Sequence, residues 1–196
     1  MTSIDSSHVS RRTALVIGAT GGIGGGVAHA LIARGWKVRG LCRQPSDAKR
    51  KAEWVGPVEW VPGDAMNEIE VTTAASGAEV IFHGANPPGY KNWRGLAIPM
   101  LRNSIAAARL SGARLILPGN VYNYGPDAGP FVSEMSPQHP LTRKGVVRVE
   151  MEQMLKAAAN EGVRSLVVRG GDFFGPHQPS SWFKDAMVKA GAPCVP

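Results

Sequence analysis

Residues 13–26 read TALVIGATGGIGGG, and this stretch restricts the fold more than any other in the chain. An apolar run, Ala14 to Ile17, breaks into glycines at Gly18, Gly21 and Gly24 and then resumes as VAHALIARG with helical spacing. The pattern is a strand, a tight turn and a helix. Gly18 can take a backbone conformation closed to other residues, Gly21 lets the chain approach a ligand with no Cβ in the way, and Gly24 lets helix pack closely on strand. The unpaired N–H groups at the helix start then face an anion. A glycine triplet alone also describes a flexible turn, but here a further strand, Lys37 to Cys42, follows Gly35, as a βαβ unit requires. The expectation is a dinucleotide whose pyrophosphate is surrounded by Gly18, Thr20, Gly21, Gly22, Ile23 and Gly24.

The alternation continues along the chain. Further β-type runs lie near residues 58–61, 79–83, 114–117 and 164–168, and helical patterns near 22–34, 67–76, 93–111 and 143–161. This order predicts an α/β fold, a doubly wound and mostly parallel sheet with helices on both faces, of Rossmann type. With 196 residues, 43% of them hydrophobic, the chain fits one domain better than two. That gives a flexible N-terminal tail over residues 1–12 and one dinucleotide-binding domain over 13–196. Ligands in such sheets sit at the carboxyl ends of the strands. The Pro/Gly-rich stretch from Pro118 to Pro140 follows the fifth strand, and its length marks it as a candidate functional loop.

Composition removes several alternatives. The net charge of +7 comes from scattered basic residues with no aromatic–basic cluster, so it reads as a surface attracting an anionic cofactor and substrate, with no nucleic-acid partner. No stretch is long and apolar enough to span a membrane, and MTSIDSSHVSRR is too polar for a secretory signal, so the expected location is cytoplasmic. Cys42 and Cys194 lack both a disulfide framework and metal-ligand spacing, so they read as free thiols, and no metal site is expected.

Several segments then carry a resemblance. These are GATGGIG (Gly18 to Gly24), Gly63-Asp64 after the third strand, His83-Gly84-Ala85-Asn86 after the fourth, Asn103 in the fourth helix, VYNYGP (Val121 to Pro126) and RGGDFFGP (Arg169 to Pro176). Together, over about Thr13 to Pro176, they resemble the short-chain dehydrogenase/reductase superfamily in its extended or atypical branch, the nucleotide-sugar epimerase/dehydratase-like proteins. The resemblance implies NAD(P)-dependent epimerisation, dehydration or reduction of a carbonyl or nucleotide-sugar substrate. It also implies an adenine contact at Asp64 with Ala65 beside it, a loop of His83, Gly84 and Ala85 over the cofactor, a structural Asn103, and Lys144 on the nicotinamide ribose.

The departures from that family are equally specific. Where it has a Ser or Thr four residues before the Tyr of Tyr-Gly, this chain has Asn120, and where it has the Tyr of Tyr-x-x-x-Lys, this chain has Pro140 ahead of a retained Lys144. Tyr124, then Tyr122, are the phenols placed to replace the lost acid–base group, the alternative being that they only shape the pocket wall. Asn120 can polarise a carbonyl oxygen or cap its own loop, but cannot share a proton. His83 and His139 are of the residue type suited to proton transfer near neutrality yet can equally be structural, and Asp172 can line the substrate side. The rival reading is a non-enzymatic cofactor-binding protein, such as a redox sensor, on the same fold.

Three further expectations concern cofactor, assembly and extent. Strand two ends in Cys42 followed by Arg43 where NAD-preferring folds place an acid, and a guanidinium suits a 2′-phosphate, so NADP is preferred over NAD. The amphipathic fourth and fifth helices, with Val146, Val149, Met151, Met154 and Leu155, correspond to those by which the family dimerises, so a homodimer is expected. Only His177 and Gln178 to Pro196 follow Pro176, so most of the family's substrate-capping portion is expected to be missing.

Overall fold

The structure, a computed structural model, describes residues 12–87, 92–171, 173 and 177. Six strands, β1 (Thr13–Ile17), β2 (Lys37–Cys42), β3 (Glu59–Pro62), β4 (Val80–His83), β5 (Arg114–Gly119) and β6 (Ser165–Arg169), form one sheet in the order β3-β2-β1-β4-β5-β6. Every neighbouring pair is parallel. The crossovers carry α1 (Gly22–Ala33), α2 (Pro45–Lys51), α3 (Glu68–Ala74), α4 (Trp93–Ser111) and α5 (Arg143–Ala159).

Register explains how one run of apolar residues feeds two cores. Opposed residues on parallel strands share a face, and Leu15 opposes Ile81 while Val16 opposes Phe82. On one face Leu15, Ile17, Leu41, Ile81, Leu115 and Leu117 pack with Val71, Leu101, Met151 and Leu155 from α3, α4 and α5. On the other, Val16, Val38 and Phe82 pack with Ala28 of α1 and Val55 of a 3-10 turn, Glu53–Val55. A strand buried on both sides reads as a continuous apolar run, which is why β1 shows no polar alternation.

The helix α2 is absent from the sequence expectation. Only Ala48 of its residues is buried, so it carries no apolar stripe. Its signal is at the ends: Pro45 in the first turn, Asp47 beside it, and Lys49, Arg50 and Lys51 in the last turn, an arrangement matching the helix dipole.

Candidate functional site at the carboxyl ends of the strands

The chain runs outward from β1 toward β3 on one side and toward β6 on the other, so a crevice opens between the carboxyl ends of β1 and β4. Gly18 leaves β1 at φ +85°, where a Cβ would lie 2.6 Å from the Gly84 carbonyl oxygen, and a Cβ on Gly24 would strike the Gly18 carbonyl. Gly21 N–H donates to Gly18 O at 3.0 Å and closes the turn.

Gly21 itself is different. It begins α1 with φ −89° and ψ 166°, conformations open to any residue, and it is exposed. A Cβ there would come no nearer than 3.4 Å to the rest of the chain. The fold requires glycine at Gly18 and Gly24 but tolerates a side chain at Gly21, where one would project into the space before the helix. No side chain caps α1 and no acid lies in its first turn, so the first-turn N–H groups of Gly22, Ile23 and Gly24 present their positive end outward. An anionic group fits that cradle.

The neighbouring loops line the crevice. Arg43 is exposed immediately past β2. Past β3, Asp64 accepts from Met66 N–H at 3.0 Å through Oδ1, and its own N–H donates to Glu70 Oε2 at 2.7 Å. The Ala65 carbonyl accepts from Asn103 Nδ2 at 2.9 Å, so the buried Asn103 of α4 anchors this loop from below. Past β4, Gly84 and Ala85 are half-buried, and Asn86 Oδ1 accepts from Trp93 Nε1 at 2.9 Å.

His83 lies beneath that loop and is only 1% exposed. The Ser104 hydroxyl donates to the Met100 carbonyl, which assigns His83 Nδ1 as the donor to Ser104 Oγ at 2.7 Å and leaves Nε2 a buried lone pair. Burial, with the charge of Arg148 second, holds the His83 pKa down to about 4, so the ring is neutral near pH 7. By contrast, burial raises the Cys42 thiol, which favours its protonated form.

The third wall is the segment between β5 and α5. Asn120 Oδ1 accepts from Tyr122 N–H at 3.0 Å, leaving its amide nitrogen as the group able to reach a ligand. Tyr122 is exposed, while the half-buried Tyr124 ring has the Arg169 guanidinium 5.1 Å from its centre. Arg169 also donates to the Asn120 carbonyl, and its Nη2 lies 2.9 Å from the buried Glu152 carboxylate of α5. Glu152 accepts from Gln138 at 2.8 Å, and Gln138 accepts from the buried Asn123 at 3.1 Å. Thr142 caps α5 by accepting from Gly145 N–H at 3.0 Å. Gly145 packs so tightly on the Tyr122 carbonyl and Pro140 that it has no room for a side chain. Gly145 thereby sets the start of α5 against Tyr122 and Pro140, and the exposed Lys144 precedes it in the first turn, with Asn120 and Tyr124 on the same β5–α5 segment.

Sequence reasoning missed the polar chain Asn123–Gln138–Glu152–Arg169. Glu152 carried a readable signal, an acid between the apolar Met151 and Leu155 on the face α5 turns to the core. Its partners carried none, because they meet only through the folded loop. Asp172 and Cys194 lie outside the described residues. Among the described residues no group of three or more His, Cys, Asp or Glu side chains could hold a metal ion, and no helix is long and apolar enough to cross a membrane.

Comparison with known proteins agrees with this fold. The model of the NAD dependent epimerase/dehydratase family matches residues 14–190. An uncharacterized protein of Sinorhizobium fredii is 30% identical over 200 residues, covering 90% of this chain and 55% of that protein. Cinnamoyl-CoA reductase 1 of Oryza sativa subsp. japonica is 30% identical over 137 residues, covering 63% of this chain and 40% of that protein. Among solved structures, the UDP-glucose 4-epimerase of Thermus thermophilus in complex with NAD superposes with a TM-score of 0.72 at 22% identity, covering 87% of this chain and 58% of that one. The chain thus spans about half the length of the relatives it matches.

Proposed function

This chain belongs to the NAD dependent epimerase/dehydratase family, and we propose that it binds a nicotinamide dinucleotide across the β1–β4 crevice as an NAD(P)-dependent epimerase, dehydratase or reductase acting on a carbonyl or nucleotide-sugar substrate. The observation that carries this reading is Gly21, a glycine the fold does not need, at the mouth of an uncapped helix. The pyrophosphate is surrounded by Gly18, Thr20, Gly21, Gly22, Ile23 and Gly24, with the unpaired first-turn N–H groups of α1 facing it. Asp64 and Ala65, held by Asn103, flank the adenine, and Arg43 pairs with a 2′-phosphate and favours NADP over NAD. Gly84 and Ala85, supported by the neutral His83, cover the cofactor, and Lys144 reaches the nicotinamide ribose.

When bound, such a dinucleotide accepts or returns a hydride. The chain's own part is to orient it and to manage the substrate oxygen: the Asn120 amide polarises that oxygen, and Tyr124, held against Arg169, and Tyr122 flank it. Calorimetric titration with NADP and NAD tests the reading. Micromolar or tighter binding that disappears in Gly21→Val supports it, and unchanged affinity in that variant removes it.

A second reading, a non-enzymatic dinucleotide sensor, is favoured by Pro140 at the position where the family has its Tyr and by the use of Asn120 Oδ1 within its own turn. Dinucleotide binding with no turnover of aldehydes, ketones or nucleotide sugars would select it.

A further inference from the structure

The segment between β5 and α5 also holds a His–Asp pair that the reading above leaves unused. His139 Nδ1 lies 2.6 Å from Asp127 Oδ2, although the two are 12 residues apart. They meet because the outgoing and returning limbs of the segment run side by side. Asn123 donates to Gln138, the His139 carbonyl abuts Gly125, and Pro140 and the Tyr122 carbonyl close on Gly145. His139 immediately precedes Pro140, and Asp127 sits in the 3-10 turn Pro126–Ala128 that directly follows Tyr124 and Gly125. The pair therefore stands on the same rim as Tyr124 and the α5 start that carries Lys144.

The chemistry of the pair is specific. A carboxylate on Nδ1 holds the proton there and leaves the lone pair on Nε2, while the hydrogen bond from His139 holds the Asp127 carboxyl below its usual range. With 70% of its side chain exposed, His139 is open to a ligand while one nitrogen is fixed. Base, orienting acid and open nitrogen are the parts a proton-transfer group needs.

We propose that His139, oriented by Asp127, is the acid–base residue of this site, exchanging a proton between Nε2 and the oxygen of a carbonyl or alcohol substrate. The proposal rests on the enzyme reading above. In the reducing direction the substrate carbon accepts the hydride with its electron pair, the C=O π pair moves onto oxygen, and that oxygen takes the proton from protonated Nε2. The imidazole is left neutral and regains a proton from solvent, and oxidation runs the same steps in reverse. Asp127 is a positioning residue: it fixes which nitrogen faces the substrate.

The test uses the full chain. Long-range 1H–15N spectra should show His139 with its neutral proton on Nδ1 in the wild type, and a mixture of tautomers in Asp127→Asn. With NADPH or NADH and a panel of aldehydes, ketones and nucleotide sugars, His139→Ala should lower kcat by about 10²- to 10⁴-fold with KM and dinucleotide Kd unchanged. Free imidazole should restore part of that rate in His139→Ala alone, which a residue that merely clips the loop would not allow. Wild-type kcat in His139→Ala, a lost rate that imidazole does not rescue, or a neutral proton on Nε2 overturns the proposal. A wild type that binds dinucleotide but turns over no substrate overturns the proposal and leaves the binding reading intact, whereas failure to bind dinucleotide overturns both.

Discussion

At Gly18 and Gly24 a side chain would collide with backbone inside the molecule, whereas at Gly21 it would meet only what comes from outside. Gly18→Ala should therefore lower stability by about 1–3 kcal/mol in chemical denaturation, since it is forced into a left-handed conformation against the Gly84 carbonyl. Gly21→Val should lose less stability than Gly18→Ala, its only structural cost being a poorer helix N-cap, and should lose dinucleotide affinity. Arg43→Ala should reduce NADP affinity about 10- to 100-fold, the worth of one or two charge-assisted hydrogen bonds, and leave NAD affinity unchanged. Parallel losses for both cofactors in a titration would show that Arg43 does not read the 2′-phosphate. His83 gives a pH dependence. Its folded pKa of about 4 lies below the ordinary 6.5, so the unfolded chain binds the extra proton between those values. Its contribution is complete above about pH 6.5 and is lost as pH falls toward 4, amounting to about 3 kcal/mol at about 1.4 kcal/mol per pH unit. His83→Gln should flatten the fall in denaturation midpoint between pH 7 and pH 5, and a variant tracking the wild type through that window would assign the fall to another group.

Between elements, the polar chain from Asn123 to Arg169 joins the β5 loop, α5 and β6 through one buried carboxylate. Removing it takes the only carboxylate from the Arg169 guanidinium among the described residues and leaves it the Asn120 carbonyl and the Tyr124 ring, so Glu152→Ala should cost about 3 kcal/mol, and Glu152→Gln less because the bond with Gln138 can persist. Urea denaturation of both variants checks the order, and equal losses would argue that packing, not charge, is what Glu152 supplies. This network also marks where sequence reading stops. Strand and helix positions were legible to within two residues because β1 and its neighbours are bounded apolar runs and α4 and α5 carry apolar stripes. The glycine turn was legible because all its parts are local. The α2 helix was not, since Ala48 alone faces the core, and neither were the Glu152 network and the His139–Asp127 pair, whose members are distant in sequence and lie in a segment with no period. The Thr142 cap of α5, by contrast, is a local contact, made to a residue only three positions on.

For the molecule as a whole, the outer surface of α4 and α5 sets the expectation of a homodimer. Met151 and Leu155 are spent on the core and Met154 packs against it, which leaves Val146, 52% exposed, and the half-buried Val149 as the outward apolar residues of α5. Arg94 of α4 pairs with Glu150 of α5 at 2.9 Å, and Arg109 of α4 pairs with Glu161 just past the end of α5. Light scattering should give a dimer that Val146→Glu converts to monomer, and a wild type that stays monomeric at high concentration would rule this surface out. The strand order also bears on how the protein is made. On the ribosome β1, β2 and β3 emerge first and can pair among themselves, but the other edge of β1 waits for β4. Ala14 to Ile17, each at most 2% exposed once folded, must spend that interval with a bare apolar edge, the kind of surface that invites aggregation. The turn that would grip a cofactor is thus translated early but gains its wall, the Gly84 carbonyl, only when β4 docks, so its glycine cradle is complete only after the second half of the sheet has begun to form.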